Sequence, residues 1–218
     1  MLFCMVSASA QSFTINGISY NVTKQPSGES PGEVEVRQSL TSGTGQSGGY
    51  EGEIVIPTEL TYEGRNYEVT RIGRWALRLC PNISSVTIPE GVTFIGDAAF
   101  FGCSSLKTLT VPYSVITIDI AAFGGCSGLT SVEFGNQLKT IGVQAFISCT
   151  NLPSVTIPNS LETIGEGAFS SCSNLASVIL GEQLEVIGEN AFKNCNSIPS
   201  IFIPKNVATI GKNAFYGC

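Results

Sequence analysis

The chain has 218 residues, with 17 acidic and 11 basic side chains and a formal net charge of −6. The basic residues are scattered along the sequence, whereas phosphate binding needs a concentrated lysine and arginine surface, so nucleic acid is not expected as a partner. Histidine is absent. Because histidine is the commonest general base and metal ligand, its absence argues against Ser-His and Cys-His catalytic pairs and against most zinc sites.

The first ten residues form an apolar run that ends in the small-x-small pattern Ala8, Ser9 and Ala10. Such a pattern is typical of the end of a secretory signal peptide, so residues 1–10 predict an exported protein, secreted or at the cell surface. Lipidation at Cys4 is a weaker alternative, because the residues before it are not small. No later segment offers about 18 consecutive apolar residues, so the sequence predicts no membrane span.

Short strands joined by turns are predicted in the N-terminal third. Residues 13–22 alternate apolar and polar side chains about Asn16 and Gly17, which is a strong signal for a β-hairpin. Residues 33–37 also alternate and predict a strand. Loops are predicted for the two flanking segments rich in Gly, Ser and Pro, residues 25–32 and 41–49.

A partial first repeat precedes the regular repeats that begin at Ile72. Residues 52–57 fall in the register of residues 85–89, and compared with a regular unit nine residues are inserted after them. Residues 61–69 predict a hairpin that contains the insertion. We expect residues 11–70 to form an N-terminal β cap, because the exposed end of a stacked structure needs covering.

From Ile72 onward, one skeleton returns every 23 residues without insertion or deletion. Its leading isoleucine is followed four residues later by alanine, then by phenylalanine in all units but one, and three residues further by cysteine. The leading isoleucines are Ile72, Ile95, Ile118, Ile141, Ile164, Ile187 and Ile210. The cysteines of the same phase are Cys80, Cys103, Cys126, Cys149, Cys172, Cys195 and Cys218.

A fixed period of this length is typical of a leucine-rich-repeat solenoid rather than of a fold with one central core. One unit has about eight apolar positions, whose burial contributes roughly 10–20 kcal/mol, whereas ordering its backbone costs roughly 23–46 kcal/mol. A single unit therefore cannot fold, and stacking is obligatory. Residues 71–218 are predicted to hold six full units and a partial one.

Within a unit, the predicted strand is the segment with alternating side chains, for example residues 154–158. Val155 and Ile157 should point inward and Ser154 and Thr156 outward, so that stacked units build one long parallel sheet. The half that carries the isoleucine, alanine, phenylalanine and cysteine should form the opposite side as a helical turn.

This skeleton resembles the 23-residue repeat of the BspA-like leucine-rich-repeat proteins, which are bacterial surface and secreted proteins. The resemblance runs from about Ile54 to Cys218 and includes the N-terminal cap. It implies an elongated right-handed solenoid, with adhesion to host extracellular-matrix proteins and other protein contacts as the expected function. The departures are Leu77 for phenylalanine, Asp119 for glycine, and Gly135 and Gly181 for proline.

A second period of 46 residues is superimposed on the first. Residues 131–138 resemble residues 177–184, and residues 153–158 resemble residues 199–204. We interpret this as duplication of a two-unit block, with no chemical meaning of its own.

The seven cysteines in one phase predict a ladder along the solenoid. Neighbouring rungs would lie roughly 4.8 Å apart, which is within the range for a disulfide, but all rungs point the same way. We expect buried, reduced thiols that pack as small apolar side chains. Disulfides between neighbours are the alternative, and a metal ladder is disfavoured because no CxxC pair is present.

The outward side chains of the predicted sheet are the best candidates for a binding site. They include two apolar residues, Ile179 and Phe202, which suggest a contact patch or burial against another domain. An opposite patch of Phe101, Ile120, Val143 and Ile147 is also possible, unless these side chains pack between turns. The outward residues are Ser85, Thr87, Thr108, Thr110, Ser131, Glu133, Ser154, Thr156, Ser177, Ile179, Ser200 and Phe202.

The sequence offers no catalytic, cofactor or metal motif: no GxSxG elbow, paired carboxylates or phosphate-binding glycine loop stands out from the repeats. It therefore predicts a non-enzymatic interaction or adhesion module of an exported protein, whose partner is a protein and which needs no cofactor. A glycan-binding module and a spacer that presents another domain are the alternatives, although the polar rows mostly lack the aromatic platforms that bind sugars.

Overall fold

A computed structural model describes residues 11–38 and 49–218. Within these residues it contains seventeen strands and no helix. The strands are β1 Ser12–Ile15, β2 Ile18–Lys24, β3 Gly32–Arg37, β4 Gly52–Val55, β5 Glu59–Tyr62, β6 Arg65–Ile72, β7 Ile83–Thr87, β8 Phe94–Ile95, β9 Thr108–Thr110, β10 Thr117–Ile118, β11 Ser131–Glu133, β12 Thr140–Ile141, β13 Ser154–Thr156, β14 Thr163–Ile164, β15 Ser177–Ile179, β16 Val186–Ile187 and β17 Thr209–Ile210.

Two hairpins build the N-terminal region, both where the sequence predicts them. Strands β1 and β2 pair antiparallel through a two-residue turn in which Asn16 and Gly17 have φ values of 50° and 79°. Strands β5 and β6 pair in the same way around Glu63 and Gly64, with φ values of 49° and 72°. A two-residue hairpin turn of this type needs both of its residues in the left-handed conformation, because only then does the turn match the right-handed twist of the strands.

Strand β3 joins these hairpins to the repeats. It pairs antiparallel with β2 and parallel with β6, which confirms the strand predicted at residues 33–37. In the segment expected as a loop at residues 25–32, Ser27 and Ser30 form an isolated bridge before β3 begins. Most of the other expected loop, residues 41–49, lies outside the described residues.

The continuous sheet runs through a part of the repeat that was not predicted to form strands. Strands β6, β8, β10, β12, β14, β16 and β17 pair in parallel, so that each unit contributes only two residues, such as Thr117 and Ile118. The leading isoleucine points inward and is buried, except in Ile210 of the last unit. The N-terminal hairpins extend this same sheet, which therefore changes from antiparallel to parallel at β3 and β6.

The strands predicted from alternation exist except at residues 200–202, which form no strand, and they do not build one long sheet. They pair two by two, as β4 with β7, β9 with β11, and β13 with β15. In the last two pairs the second coil carries glycine in place of proline: a Cβ on Gly135 would lie 2.3 Å from Pro112 O, and one on Gly181 would lie 2.2 Å from Pro158 O. The period of 46 residues therefore has a physical counterpart, contrary to our expectation, because these glycines let every second coil approach closely.

The half predicted as a helical turn consists instead of consecutive tight turns. Alternate N–H groups bond in different directions: Ala99 N donates to Gly96 O within the turn at 3.1 Å, whereas Phe100 N donates to Ala122 O of the next coil at 2.7 Å. The third and seventh residues after each leading isoleucine have φ between 49° and 77°. A helix is incompatible with both features, because it needs negative φ and uses its N–H groups internally.

The core is a stack of identical side chains in successive coils. Phenylalanine rings from Phe100 to Phe215 lie nearly parallel, with centroids 5.0 to 5.5 Å apart. The alanine, cysteine and leucine of each inner unit are fully buried beside them. Each unit therefore buries its apolar side chains mainly against its two neighbours, as the repeat predicts.

Candidate functional site

The outward rows of the strand segments lie on one surface, which we call the strand face. It consists of the twelve residues predicted from the sequence. Pairing places equivalent residues side by side, for example Ser131 beside Thr108 and Thr156 beside Ile179. All twelve are exposed except Ser85, which is half-buried.

The strand face is polar in its middle and apolar towards its ends. Ile179 is 59% exposed and Phe202 is 77% exposed, although residues 200–202 form no strand. Val55 continues the second row beside Thr87 and is 64% exposed, and we did not predict it as a site residue. The sequence already places Val55 in register with Thr87, so the alternation of apolar and polar side chains was a sufficient signal to predict Val55 as a site residue.

The charge of the strand face is small. Glu133 is its only ionisable side chain, and its other polar side chains are hydroxyls. Hydroxyls and apolar groups bind by hydrogen bonding and by burial of area, whereas catalysis of proton transfer needs a titratable group near its substrate. The face therefore supports binding chemistry.

A turn beside the strand face is held in place by inter-coil hydrogen bonds. The Glu90 carboxylate accepts from Tyr113 N at 3.1 Å and from Ser114 N at 3.2 Å. In turn, Ser114 Oγ donates to Val92 O at 2.7 Å. These bonds fix the backbone of the turn that carries the exposed Tyr113, which lowers the entropy of loop ordering that binding would cost.

The cysteine ladder is present and its thiols are free. Each Sγ from Cys103 onward donates to a phenylalanine or leucine carbonyl 26 residues earlier, as Cys126 Sγ does to Phe100 O at 3.2 Å. Burial raises the pKa of Cys103 to about 12 and also raises that of Cys126. These thiols are therefore protonated and structural, and the disulfide alternative is wrong for the seven repeat cysteines.

Metal binding finds no support in residues 11–38 and 49–218, where no three Cys, Asp or Glu side chains are grouped to hold an ion. The same residues contain no helix of the length and apolar character that would let it cross a bilayer.

The opposite patch predicted from the sequence is partly exposed to solvent. Ile120 and Val143 are 46% and 37% exposed, whereas Phe101 and Ile147 are half-buried.

Comparison with known proteins gives a consistent result. A family model described as BspA type leucine rich repeat region matches residues 58–129 and 95–218, in six copies. No curated protein matches the chain.

The solved structures that are similar to this chain include the following three. A leucine-rich repeat protein from Bacteroides ovatus is 33% identical with a TM-score of 0.78, and the match covers 94% of this chain and 50% of that one. A leucine rich cell surface protein from Faecalibacterium prausnitzii is 30% identical with a TM-score of 0.75, covering 97% and 53%. The T. pallidum leucine rich repeat protein is 27% identical with a TM-score of 0.78, covering 95% and 89%. The chain thus spans about half the length of the first two.

Proposed function

Because the chain belongs to the BspA-type leucine-rich-repeat family, as its skeleton predicted, we propose that it is a non-enzymatic adhesion module of an exported bacterial protein. Its partner is a protein, with host extracellular-matrix proteins as the first class to test. The strand face makes the contact. Repeat solenoids of this kind are interaction modules that present extended surfaces to other proteins.

The observation that carries the proposal is the exposure of Ile179 and Phe202 on an otherwise polar sheet. Large apolar side chains in such positions act as anchors when a partner buries them, while surrounding hydroxyls supply hydrogen bonds at the rim. Export is supported by the apolar run of residues 1–10 and by the relative from Faecalibacterium prausnitzii, which is a cell surface protein.

The test is saturable binding of the full chain to purified matrix proteins and to glycans, compared with the double variant Ile179→Arg/Phe202→Arg. Arginine at these exposed positions leaves the core intact and removes both anchors. We expect at least a tenfold loss of affinity for the protein partner, since a buried apolar anchor contributes about 1.5–3 kcal/mol.

Ile116→Arg is the matched control, because Ile116 is exposed but lies just before β10, away from the strand face. Protein binding that is lost in the double variant and kept in the control supports the proposal. Equal loss in both variants, or undiminished binding by the double variant, would exclude the strand face. Saturable binding to glycans alone would favour a glycan-binding module, and no binding at all would favour a spacer.

A further inference from the structure

The continuous sheet carries a recess of about 440 Å³ on its outer surface, where strand β3 meets the first three regular units. Gly73 and Gly96 line it, and neither position has room for a side chain. A Cβ on Gly73 would lie 2.7 Å from Val36 O, and one on Gly96 would lie 2.9 Å from Arg74 N. The backbone is therefore bare at this point of the sheet, and the longer side chains around it enclose open space.

The recess is lined by charges of both signs. Its charged residues are Glu35, Arg71, Arg74, Asp97 and Asp119. Arg74 and Asp97 pair with each other at 2.8 Å. The other three form no ion pair with any described residue, although Glu35 accepts a hydrogen bond from Asn21 Nδ2 at 3.3 Å. One cation and two carboxylates in the recess are therefore left without an opposite charge.

Strand register places these three charges in order along the sheet. Glu35 pairs with Arg71 across β3 and β6. The Arg71 guanidinium carbon lies 4.1 Å from the centroid of the Phe94 ring in the second unit, and this cation–π contact holds it there. Asp119 belongs to the third unit, so the carboxylates of Glu35 and Asp119 are roughly 10 Å apart, or two coil spacings, with the guanidinium between them.

Asp119 also departs from the repeat, because the six other units have glycine at its position. The close approach of the coils favours glycine there, since a Cβ on the neighbouring Gly142 would lie 2.8 Å from the carbonyl carbon of Asp119. Packing therefore does not account for this carboxylate, and no described cation neutralises it. A ligand that brings a cation to Asp119 would give the departure a function.

We propose that the recess binds a basic amino acid such as lysine, which carries one carboxylate and two ammonium groups. Arg71 binds the α-carboxylate, and its neighbour Glu35 binds the α-ammonium group. Asp119 binds the ammonium group at the end of the side chain. The flexible alkyl chain of lysine spans the space between the two carboxylates and lies against Ile120, which is 46% exposed. The ligand matches the three unpaired charges in number, sign and order.

The same arrangement selects against other amino acids. An amino acid with an uncharged side chain leaves Asp119 without a cation, and an acidic one brings a like charge to it, which is costly. The inference goes beyond the proposed adhesion, because no residue of the strand face lines the recess.

A titration of the ¹⁵N-labelled full chain with L-lysine, followed by nuclear magnetic resonance, tests the proposal. We expect the amide signals of Gly73 and Gly96 to shift, with half-saturation at about 1 mM, because exposed ion pairs each contribute little. L-Norleucine has the same carbon chain without the terminal ammonium group, and it should bind about fivefold more weakly. L-Glutamate should leave both signals in place.

Asp119→Gly is the decisive variant, because it restores the residue of the repeat and should therefore keep the fold. It should bind lysine only as weakly as norleucine, since the side-chain ammonium group has lost its partner. Glu166→Gln is the matched control: it removes an exposed carboxylate from a later unit, outside the recess, and should bind lysine as the wild type does.

The proposal would be overturned if the signals of Gly73 and Gly96 did not shift at lysine concentrations up to about 20 mM. Equal affinities of the wild type for lysine and norleucine would also contradict it, as would a preference for lysine that persists in Asp119→Gly. Equal weakening by Glu166→Gln would reduce the effect to general attraction by the negative chain. None of these outcomes depends on the adhesion partner, since neither variant alters the strand face.

Discussion

The N-terminal hairpin region, residues 11–38 and 49–70, which we call the cap, and the repeats share one sheet but are stabilised by contacts of different range. In the cap, hairpin partners are near in sequence, as in Ile15 with Ile18 and Tyr62 with Arg65. From Ile72 onward, strands of successive repeats pair residues 23 positions apart, such as Thr117 with Thr140, and only the pairing of β7 with β4 of the partial first repeat differs among the described strands. The cap therefore contains local structure that can form early, whereas a repeat unit depends on its neighbours.

The cores of the cap and of the repeats also differ. An aromatic cluster fills the cap, where the ring of Phe13 stacks on Tyr62 at 4.0 Å and lies 5.8 Å from both Tyr20 and Tyr67. The repeats use one phenylalanine per unit in a continuous stack. Removing a ring from the middle of the stack should destabilise both neighbouring units, whereas removing the ring at its end should destabilise only one.

Phe146→Ala should have the largest effect. Phe146 stacks between Phe123 at 5.2 Å and Phe169 at 5.3 Å and also meets the edge of Phe134. Truncation leaves a cavity that the rigid coils cannot close, and we expect the free energy of unfolding to fall by about 3–5 kcal/mol in denaturant titrations. Phe215→Ala is the control: its ring has one stacking partner, and a loss as large as that of Phe146→Ala would contradict a neighbour-dependent core.

Gly165→Ala tests how tightly the coils approach. A Cβ there would lie 2.6 Å from Gly142 C and 2.8 Å from Gly142 O, and these backbone atoms cannot move aside. We expect a loss of about 1–3 kcal/mol, measured by thermal and denaturant unfolding. Asp119→Ala is the matched variant, because Asp119 occupies the same repeat position and already has a Cβ. A loss in that variant equal to that of Gly165→Ala would exclude a steric cause.

Local signals in the sequence predicted most of the N-terminal strands and the inward or outward direction of the side chains in the strand segments. The turn at Asn16 and Gly17 was predictable because its two left-handed residues suffice to specify a hairpin. The inward and outward rows followed from alternation, which is why the exposure of Ile179 and Phe202 agrees with the prediction. Whether these residues contact a partner stays a prediction, because exposed hydroxyl and apolar side chains do not specify one.

The continuous sheet and the tight turns could not be predicted in this way. Two-residue strands such as Thr117–Ile118 are too short to show alternation. The helical turn was wrong because the sequence does not reveal that Phe100 N bonds to the next coil. Left-handed positions did leave a signal, since glycine, serine or asparagine recurs seven residues after most leading isoleucines, for example at Gly102 and Asn194.

The cap and the repeats should lose stability at different alkaline pH values. Burial raises the pKa of Cys103 in the repeats from 9.0 to about 12 and, with a smaller contribution from Tyr50, that of Tyr20 in the cap from 10.0 to about 12. In both cases the unfolded chain releases its proton first, so stability is complete below the unfolded pKa and falls as pH rises towards the folded one. The repeats should weaken above about pH 9 and the cap above about pH 10.

Denaturant midpoints at intervals from pH 8 to pH 11, with hydrogen exchange to follow each region, would measure this difference. Cys103→Ala should reduce the pH dependence of the repeats without abolishing it, because the pKa of other buried thiols such as Cys126 is also raised, and it should leave that of the cap unchanged. Identical pH profiles for the variant and the wild type would show that this thiol does not control the loss.

Gly64→Ala should have the smallest effect on stability. It allows the left-handed backbone conformation to be compared between the cap and the repeats. Gly64 has a φ of 72° and a Cβ would meet no atom within 4 Å, so only the left-handed conformation is strained. We expect the free energy of unfolding to fall by about 1 kcal/mol.

The repeats already hold alanine in this conformation, at Ala98 and Ala121 with φ of 49°. There the next coil accepts their N–H groups at 2.8 Å, so neighbouring coils hold the strained residue in place. Ala98→Gly and Ala121→Gly should therefore change the unfolding free energy by less than Gly64→Ala, and a larger gain would show that the repeats carry more strain than the cap.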